Sequence, residues 1–244
     1  MSKIKNISLA ILSIIPLLLT FFAIIKWFQS PGTGAHAEVY DELFLTYWSL
    51  GMVVAVIVYG VFIWLMTTAV EEEPDDVRIL GSLPVERGSA KIAWTVTIVI
   101  TAFLLILSQI TFSSIDFFEN PELEEDSFTV KVTGWQYYWE YEYPNGITYT
   151  SAVGEPLRIP VDTPVVFEVI GGDVFHSFAL PEHRIKVDAL PSRPNTGWIL
   201  AEETGTYPIR CYELCGDDHT LMIGELEVMD KNEFDAWYSG GGQQ

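Results

Sequence analysis

Long uninterrupted apolar runs dominate the first half of the chain. Ile7–Phe28 is broken only by Lys26, whereas Leu43–Val70 and Ile92–Ile115 contain no Asp, Glu, Lys or Arg. A helix needs roughly 20 apolar residues to cross a bilayer core, and a buried helix of a soluble protein is usually shorter and carries a polar stripe. The second and third runs therefore predict two membrane-spanning helices in an anchor at residues 38–115.

The first run lies within residues 1–37 and has two interpretations. Lys3 and Lys5 precede it and the small-residue sequence Ala35–Ala37 follows it, as in a cleaved signal peptide. The apolar core of a signal peptide, however, is usually only about 7–15 residues long. We therefore expect either a removed signal peptide or a third membrane helix.

Basic residues indicate which side of the membrane the loops occupy. Arg78, Arg87 and Lys91 flank the second and third runs on one side. Loops rich in Lys and Arg stay in the cytoplasm, and acidic residues count little in this rule. The segment after Ile115 is therefore expected outside the cell.

The pattern changes at Phe128, after an acidic linker predicted at residues 116–127. Short β-type runs then recur at a spacing of roughly 8–12 residues, which is typical of a sandwich or barrel. The β domain is predicted at residues 128–230, and Asp230 is a plausible cap for a short C-terminal helix within residues 231–244. The predicted strands are Phe128–Thr133, Trp135–Tyr143, Leu157–Pro160, Val165–Ile170, Phe175–Leu180, Arg184–Val187, Gly197–Ala201, Gly205–Arg210 and Met222–Val228.

The formal net charge of −20 is concentrated in the second half of the chain. Residues 116–244 contain 24 of the 33 acidic residues and 7 of the 13 basic ones. Nucleic acid is bound through Lys and Arg, so we expect no nucleic-acid partner. The negative surface could steer a cationic partner, but adaptation to high salt, where self-repulsion is screened, is the favoured origin.

The chemistry is concentrated in the run Cys211-Tyr-Glu213-Leu-Cys215-Gly-Asp-Asp-His219-Thr-Leu-Met222. Two thiols, an imidazole and a thioether suit copper that cycles between Cu(I) and Cu(II). A single blue copper uses one Cys, two His and a weak Met, so a second thiol favours two coppers bridged by both thiolates. A disulfide would leave the His and Met unexplained, and zinc does not favour a thioether.

A second imidazole must come from outside this run. Of the other histidines, His36 precedes the membrane helices and His183 follows Pro181-Glu182 in an apparent turn. His176 lies in a strand-like run, and a strand holds a ligand rigidly, as a metal site requires. We therefore expect His176 to be the second imidazole ligand.

The run Cys-x-Glu-x-Cys-x3-His-x2-Met resembles the binuclear CuA motif of cytochrome c oxidase subunit II. The segments Gly134–Tyr143, Asp173–Pro181 and Lys186–Arg193 are similar to other parts of that family, and the similarity extends from about Glu38 to Trp237. The resemblance implies a mixed membrane and all-β protein. Two or three N-terminal transmembrane helices would precede a cupredoxin-like Greek-key β-barrel.

The resemblance also implies which residues hold metal. Two thiolates would bridge both coppers, one copper would add His176 and Met222, and the other would add His219 and a backbone carbonyl. The Glu213 side chain would help hold a Mg²⁺ or Mn²⁺ ion at the interface with subunit I. The implied metal-site residues are His176, Cys211, Glu213, Cys215, His219 and Met222.

By the same resemblance, the chain is a subunit of a cytochrome c oxidase-type oxidoreductase and translocase. It would pass electrons from a soluble donor, either cytochrome c or a blue-copper protein, through CuA to haem in subunit I. Oxygen reduction and proton translocation would occur in that other chain, so no catalytic residue is expected here. Subunit I, subunit III, the donor and the lipid bilayer are the expected partners, in the cell membrane of a prokaryote with the copper domain on the external face.

Two positions depart from the family pattern. The family has a Trp, which receives electrons from cytochrome c, where Tyr137 stands, and Trp135 lies two positions earlier. Both are candidates for the point at which electrons enter. The family also has a proton-uptake Glu three residues before a Trp, whereas here Lys91 precedes Trp94. A cation cannot accept a proton near neutral pH, so that role is not carried over.

Other functions remain open at this point. A membrane-tethered copper-delivery protein would need neither Glu213 nor the aromatic segment, and both are present. A nitric oxide reductase with the same copper site would differ in a chain that is not this one. The second subunit of a quinol oxidase lacks the copper ligands, so that class is disfavoured.

Overall fold

Two long apolar helices precede the β domain. The computed structural model describes residues 15–16, 18–25, 32–68, 89–119 and 128–241. Helix α1 (Ala35–Thr68) contains the second apolar run as far as Thr68, and helix α2 (Ala90–Glu119) contains the whole of the third. Both are long and apolar enough to cross a membrane, and their most apolar stretches are not buried within the chain. The two predicted helices are confirmed.

The fate of the first apolar run stays a prediction. Residues 15–16 and 18–25 are helical, while the rest of the run lies outside the described residues. The loop that carries Arg78 and Arg87 also lies outside them, so the orientation inferred from its charge is not tested. Helix α2 continues through Asp116 to Glu119, into the predicted linker, whose residues 120–127 are not described.

Within the membrane unit, polar groups of the two helices bond to each other. The Tyr47 hydroxyl of α1 donates to the Leu107 carbonyl of α2 at 2.9 Å, and it also forms a hydrogen bond with the Thr111 hydroxyl. Small polar contacts of this kind help to fix helix pairs where the surroundings cannot satisfy polar groups.

Residues 128–241 fold into ten strands, which form two five-stranded sheets. One sheet has the order β3-β2-β1-β5-β8 and the other has the order β4-β10-β9-β6-β7. The strands are β1 (Phe128–Trp135), β2 (Tyr138–Glu142), β3 (Thr148–Thr150), β4 (Leu157–Pro160), β5 (Pro164–Gly171), β6 (His176–Leu180), β7 (Ile185–Ala189), β8 (Asn195–Leu200), β9 (Gly205–Cys211) and β10 (Ile223–Met229).

Alternating apolar residues explain why these sheets stack. In β5, Val165, Phe167 and Val169 are fully buried, and the residues between them are only partly covered. Successive side chains of a strand point to opposite faces, so this alternation gives each sheet one core face. Strands β1 and β5 pair in parallel, as do β4 and β10, and the other strand pairs are antiparallel. The predicted cupredoxin-like β architecture is confirmed.

One predicted strand is wrong, and one observed strand was not predicted. The run Trp135–Tyr143 is not continuous, because the chain reverses at Gln136 and Tyr137 between β1 and β2. A carboxylate from a distant loop holds this turn: the Gln136 backbone N–H donates to Asp173 Oδ2 at 2.8 Å. Strand β3 (Thr148–Thr150) is a short edge strand that pairs only with β2.

Two segments that flank the strands pack on the β domain. The predicted C-terminal helix is present as α3 (Lys231–Ser239), and the Asp230 side chain accepts from the Asn232 backbone N–H. Phe234 and Trp237 are its buried residues. On the N-terminal side, Arg184 forms an ion pair with Asp41 at 3.0 Å, within the compact unit that contains the β domain.

Candidate metal centre

The predicted ligands come from two neighbouring strands and from the loop that follows the second of them. His176 is the first residue of β6, and Cys211 is the last residue of β9. Phe178 of β6 pairs with Cys211, and the Cys211 backbone N–H donates to the Met222 carbonyl at 3.2 Å. The loop that joins β9 to β10 carries the other ligands. This loop includes the single turn His219–Leu221. The pairing of Cys211 with Phe178 and its backbone hydrogen bond to Met222 fix the two ends of the loop.

Side-chain donor atoms of all five predicted ligands converge in this region. The Sγ atoms of Cys211 and Cys215 are 3.9 Å apart. His176 Nδ1 lies 3.9 Å from Cys211 Sγ, and His219 Nδ1 lies 3.5 Å from Cys215 Sγ. Met222 Sδ is 3.9 Å from Cys215 Sγ. The structure thus brings together the residues chosen from the sequence.

The Glu213 backbone carbonyl also reaches the cluster, at 3.3 Å from Cys211 Sγ. Both thiols are free, because a disulfide would require the two sulfurs at about 2.05 Å. The predicted donor set is therefore two thiols, two imidazoles, a thioether and a carbonyl, and each of the other donors lies within 3.9 Å of one of the two thiols. Soft sulfur donors combined with imidazole favour copper, so these residues fit the copper ions that the resemblance implies.

The cluster is enclosed on most sides. His176 is fully buried and Met222 is 1% exposed, while His219 is partly exposed. A pocket of 350 Å³ borders Cys211, His219 and Met222, so solvent approaches from the His219 side. The other histidines lie elsewhere: His183, for example, bonds through Nδ1 to the Thr33 carbonyl at 2.9 Å.

The electrostatics of the two thiols differ. Burial disfavours the Cys211 thiolate, but hydrogen bonds from His176 and from the backbone outweigh it and lower the pKa of Cys211 to about 6. Burial and the neighbouring Cys211 charge raise the pKa of Cys215. One thiolate therefore forms readily in the metal-free chain, whereas the second needs a bound cation. Metal binding should accordingly release protons.

The orientation of the His176 ring is set by an acid three residues earlier. His176 Nε2 lies 2.8 Å from Asp173 Oδ1. A carboxylate only accepts, so Nε2 carries a proton and Nδ1 faces Cys211. Burial opposes the charged ring, but hydrogen bonds to Cys211 and Asp173 raise the pKa of His176. Sequence reasoning gave Asp173 no role, although the spacing of three residues was visible.

Two close approaches need glycine. A Cβ on Gly134 would lie 2.9 Å from the Trp139 ring and 3.1 Å from the His176 ring. Gly216 has a φ of +141°, and a Cβ there would lie 2.5 Å from the Tyr137 hydroxyl. The Tyr137 ring therefore lies against the metal loop, which is residues 212–222 between β9 and β10. The point of contact is Gly216, between the predicted ligands Cys215 and His219.

The two candidate aromatic residues occupy different places. Tyr137 is partly exposed at the turn between β1 and β2, in contact with the metal loop. Trp135 packs over Gly172, where a Cβ would lie 2.5 Å from its indole ring. Of the two, Tyr137 is the one that the structure places beside the metal loop.

Comparisons with known proteins agree with this geometry. A family model described as cytochrome c oxidase subunit II, periplasmic domain, matches residues 146–228. The heme-copper oxidase subunit 2 of Aeropyrum pernix is 37% identical over 67% of this chain and 69% of its own length. The probable cytochrome c oxidase subunit 2 of Rickettsia bellii is 31% identical over 86% of this chain and 81% of its own.

The cytochrome c oxidase subunit 2 of Alkalihalophilus pseudofirmus is 32% identical over 85% of this chain. The match spans only 60% of that longer relative. Each of these three matches covers two thirds or more of this chain, in which apolar helices precede a β domain with the loop that contains Cys215. The chain therefore belongs to the family of subunit II of cytochrome c oxidases and related haem–copper oxidases.

Proposed function

We propose that this chain is the electron-accepting subunit of a haem–copper terminal oxidase. It would take electrons from a soluble external donor and pass them through a binuclear copper site to haem in subunit I. There, oxygen reduction would be coupled to proton translocation, so the chain itself makes and breaks no substrate bond. The convergence of two free thiols with two imidazoles and a thioether carries this proposal.

In this proposal, the thiolates of Cys211 and Cys215 would hold both metals. His176 and Met222 would complete the ligands of one metal, and His219 and the Glu213 carbonyl would complete those of the other. When bound, two coppers that share one electron supply a redox site whose bonds change little between oxidation states. The chain contributes rigid strands at both ends of the ligand loop, together with burial that restricts water to the His219 side.

Burial favours electron transfer over copper delivery. A delivery protein must hand over its ion, so its ligands should be open to a partner. Here His176 is fully buried and Met222 is 1% exposed. Electrons can cross such a shell, whereas an ion held by these two buried ligands has only the partly exposed His219 side as a way out.

The electron donor is proposed to approach the turn at Tyr137, which contacts the metal loop through Gly216. Trp135 remains a secondary candidate. Exposed acids of the same loop, Asp217 and Asp218, would favour a donor with a cationic surface. Cytochrome c and a small blue-copper protein are the two candidate donors, and either would need such a surface.

Two further assignments belong to the proposal. The partly exposed Glu213 side chain would help hold a Mg²⁺ or Mn²⁺ ion against subunit I, since carboxylates suit these hard cations. The protein would be a multi-pass protein of a prokaryotic cell membrane with its copper domain outside. Subunit III would complete the complex.

The test uses the full-length chain in detergent, loaded with copper. About two coppers per chain, with an electron paramagnetic resonance pattern split by two equivalent copper nuclei, are expected. Cys215→Ser should convert this pattern to that of one nucleus, because one bridging thiolate is lost. Glu142→Gln, which alters only an exposed ion pair with Lys131, is the matched control. One copper per wild-type chain with a single-nucleus pattern would refute the proposal.

The acceptor gas is tested on the purified complex. Oxygen consumption driven by a reduced soluble donor is expected, with a haem-bearing chain co-purifying. Turnover of nitric oxide in place of oxygen would assign the complex to the reductase class. Copper loading without any co-purifying haem protein would favour delivery.

A further inference from the structure

One residue outside the predicted ligand set is bonded to both segments that carry ligands. Gln136 lies in the two-residue turn between β1 and β2. Its backbone N–H donates to Asp173 Oδ2 at 2.8 Å, and its side-chain Nε2 donates to the Cys215 carbonyl at 2.6 Å. These partners are 37 and 79 residues away along the chain.

The Asp173 carboxylate that Gln136 contacts also bonds to the predicted ligand His176. The other carboxylate oxygen, Oδ1, accepts from His176 Nε2 at 2.8 Å and from the Val174 backbone N–H at 2.6 Å. Both oxygens of Asp173 are therefore bonded, and the carboxylate cannot rotate without losing a partner. Gln136 thus fixes the group that orients the His176 ring.

The contact with Cys215 fixes the other side of the site. A Cβ on Gly216 would lie 2.8 Å from Gln136 Nε2 and 2.5 Å from the Tyr137 hydroxyl. The absence of a side chain there lets the turn press directly on the metal loop. The Cys215 carbonyl is held by this turn, so the adjoining thiol has a fixed position relative to His176.

We propose that Gln136 is a positioning residue of the copper site: it ties the Asp173–His176 pair to the Cys215 backbone and so sets the relative position of two ligands. This inference rests on the proposed function. The turn that carries Tyr137 is thereby the same element that positions the ligands. Partners around a metal ligand commonly change metal affinity or activity by about 10–100-fold when they are removed.

The test removes the side-chain hydrogen bond and keeps the backbone one. Gln136→Leu preserves size but cannot donate to the Cys215 carbonyl, and Gln136→Glu preserves shape but presents only acceptors there. In the full-length, copper-loaded chain, both variants should still bind copper, with affinity lowered by about 10–100-fold. The resonance pattern should change from two equivalent nuclei to two unequal ones, and the reduction potential should shift.

Two controls isolate the effect. Asp188→Asn alters a carboxylate that accepts from the Ser177 hydroxyl at 2.9 Å, beside His176 but not on its ring. Glu142→Gln alters the same hairpin far from the metal loop, and both controls should match the wild type. Asp173→Asn should act in the same direction as Gln136→Leu. The double variant Gln136→Leu/Asp173→Asn should lower copper affinity by less than the product of the two single fold-changes. The reason is that both residues position the same ligands.

The outcomes separate the inference from the function. If the wild type shows two equivalent coppers, but Gln136→Leu and Gln136→Glu stay within twofold in affinity with unchanged spectra, the inference is wrong and the function stands. Lower thermal stability of the copper-free variants with an unchanged spectrum shows a purely structural turn and also overturns it. A wild type without the two-copper pattern refutes both.

Discussion

Replacing Gly134 by alanine should disturb the copper site without changing any ligand. Gly134 lies in β1, where it pairs with Trp139 across the hairpin and with Gly171 of β5. A Cβ at this position would enter the space between the Trp139 and His176 rings, which contact each other edge to face at 6.0 Å between centroids. The single added methyl group therefore tests how tightly these rings are held.

The magnitude follows from the clearances. The new Cβ would lie 2.9 Å from Trp139 and 3.1 Å from two atoms of the His176 ring, all below ordinary van der Waals contact. Trp139 cannot retreat easily, because it is fully buried and packs edge to face on Phe178 at 5.3 Å. Overpacking of this kind costs about 1–3 kcal/mol. We expect the His176 ring to yield in part, so copper affinity should fall as well.

The assay is thermal unfolding of the copper-free full-length chain, followed by near-ultraviolet circular dichroism, together with a copper titration. A loss of about 1–3 kcal/mol corresponds to a Tm lower by roughly 4 °C for each kcal/mol. Gly205→Ala is the matched control, since it also lies in a strand and its Cβ would meet only the end of the Tyr207 ring, at 3.3 Å. Unchanged stability and copper binding in Gly134→Ala would refute the reasoning.

Three further outcomes are expected. Met222→Leu should change stability by less than about 1.5 kcal/mol yet alter the copper spectrum, and an unchanged spectrum would make Met222 a core residue only. In the copper-free chain, alkylation of Cys211 should accelerate through about pH 6, where its lowered pKa lies, and that of Cys215 only at much higher pH. Because the folded pKa of Cys211 is depressed, its ionisation stabilises the fold fully above the ordinary pKa of a cysteine, and this contribution is lost as pH falls through about 6. A midpoint near its ordinary value, measured by peptide mass spectrometry, would contradict this. Arg158→Met removes a 2.9 Å ion pair with Glu227. The free energy of unfolding should fall by about 1–3 kcal/mol, which is less than for a fully buried pair because solvent screens the partly exposed carboxylate. Its copper spectrum should match the wild type, and a changed spectrum would show that this pair reaches the site.

The ligand loop could be predicted because its information is local. Cys211, Cys215, His219 and Met222 fall within one short run, so their spacing alone restricts them to one loop. His176 required a choice among distant histidines. The rigidity of a strand favours His176 among them, and the structure places its ring next to the Cys211 thiol.

The turn at Gln136 could not be predicted, for a physical reason. Tight hairpin turns usually contain Gly, Asn or Asp, and Gln136-Tyr137 has none of these. The turn depends on hydrogen bonds to Asp173 and to the Cys215 carbonyl, which lie 37 and 79 residues away. An aromatic run gives no local sign of such partners, so it was interpreted as one strand.

The interior position of β10 in its sheet has a consequence for synthesis. This strand lies between β4 and β9, although it is made after every other strand of residues 128–241. About 60 residues separate β4 from β10, so at roughly 5–20 residues per second β4 waits about 3–12 s for its neighbour. During that interval the open edge of β4 could join another chain. A chaperone that shields this edge would be needed most in that window, and copper could be captured only after the final strand closes the loop.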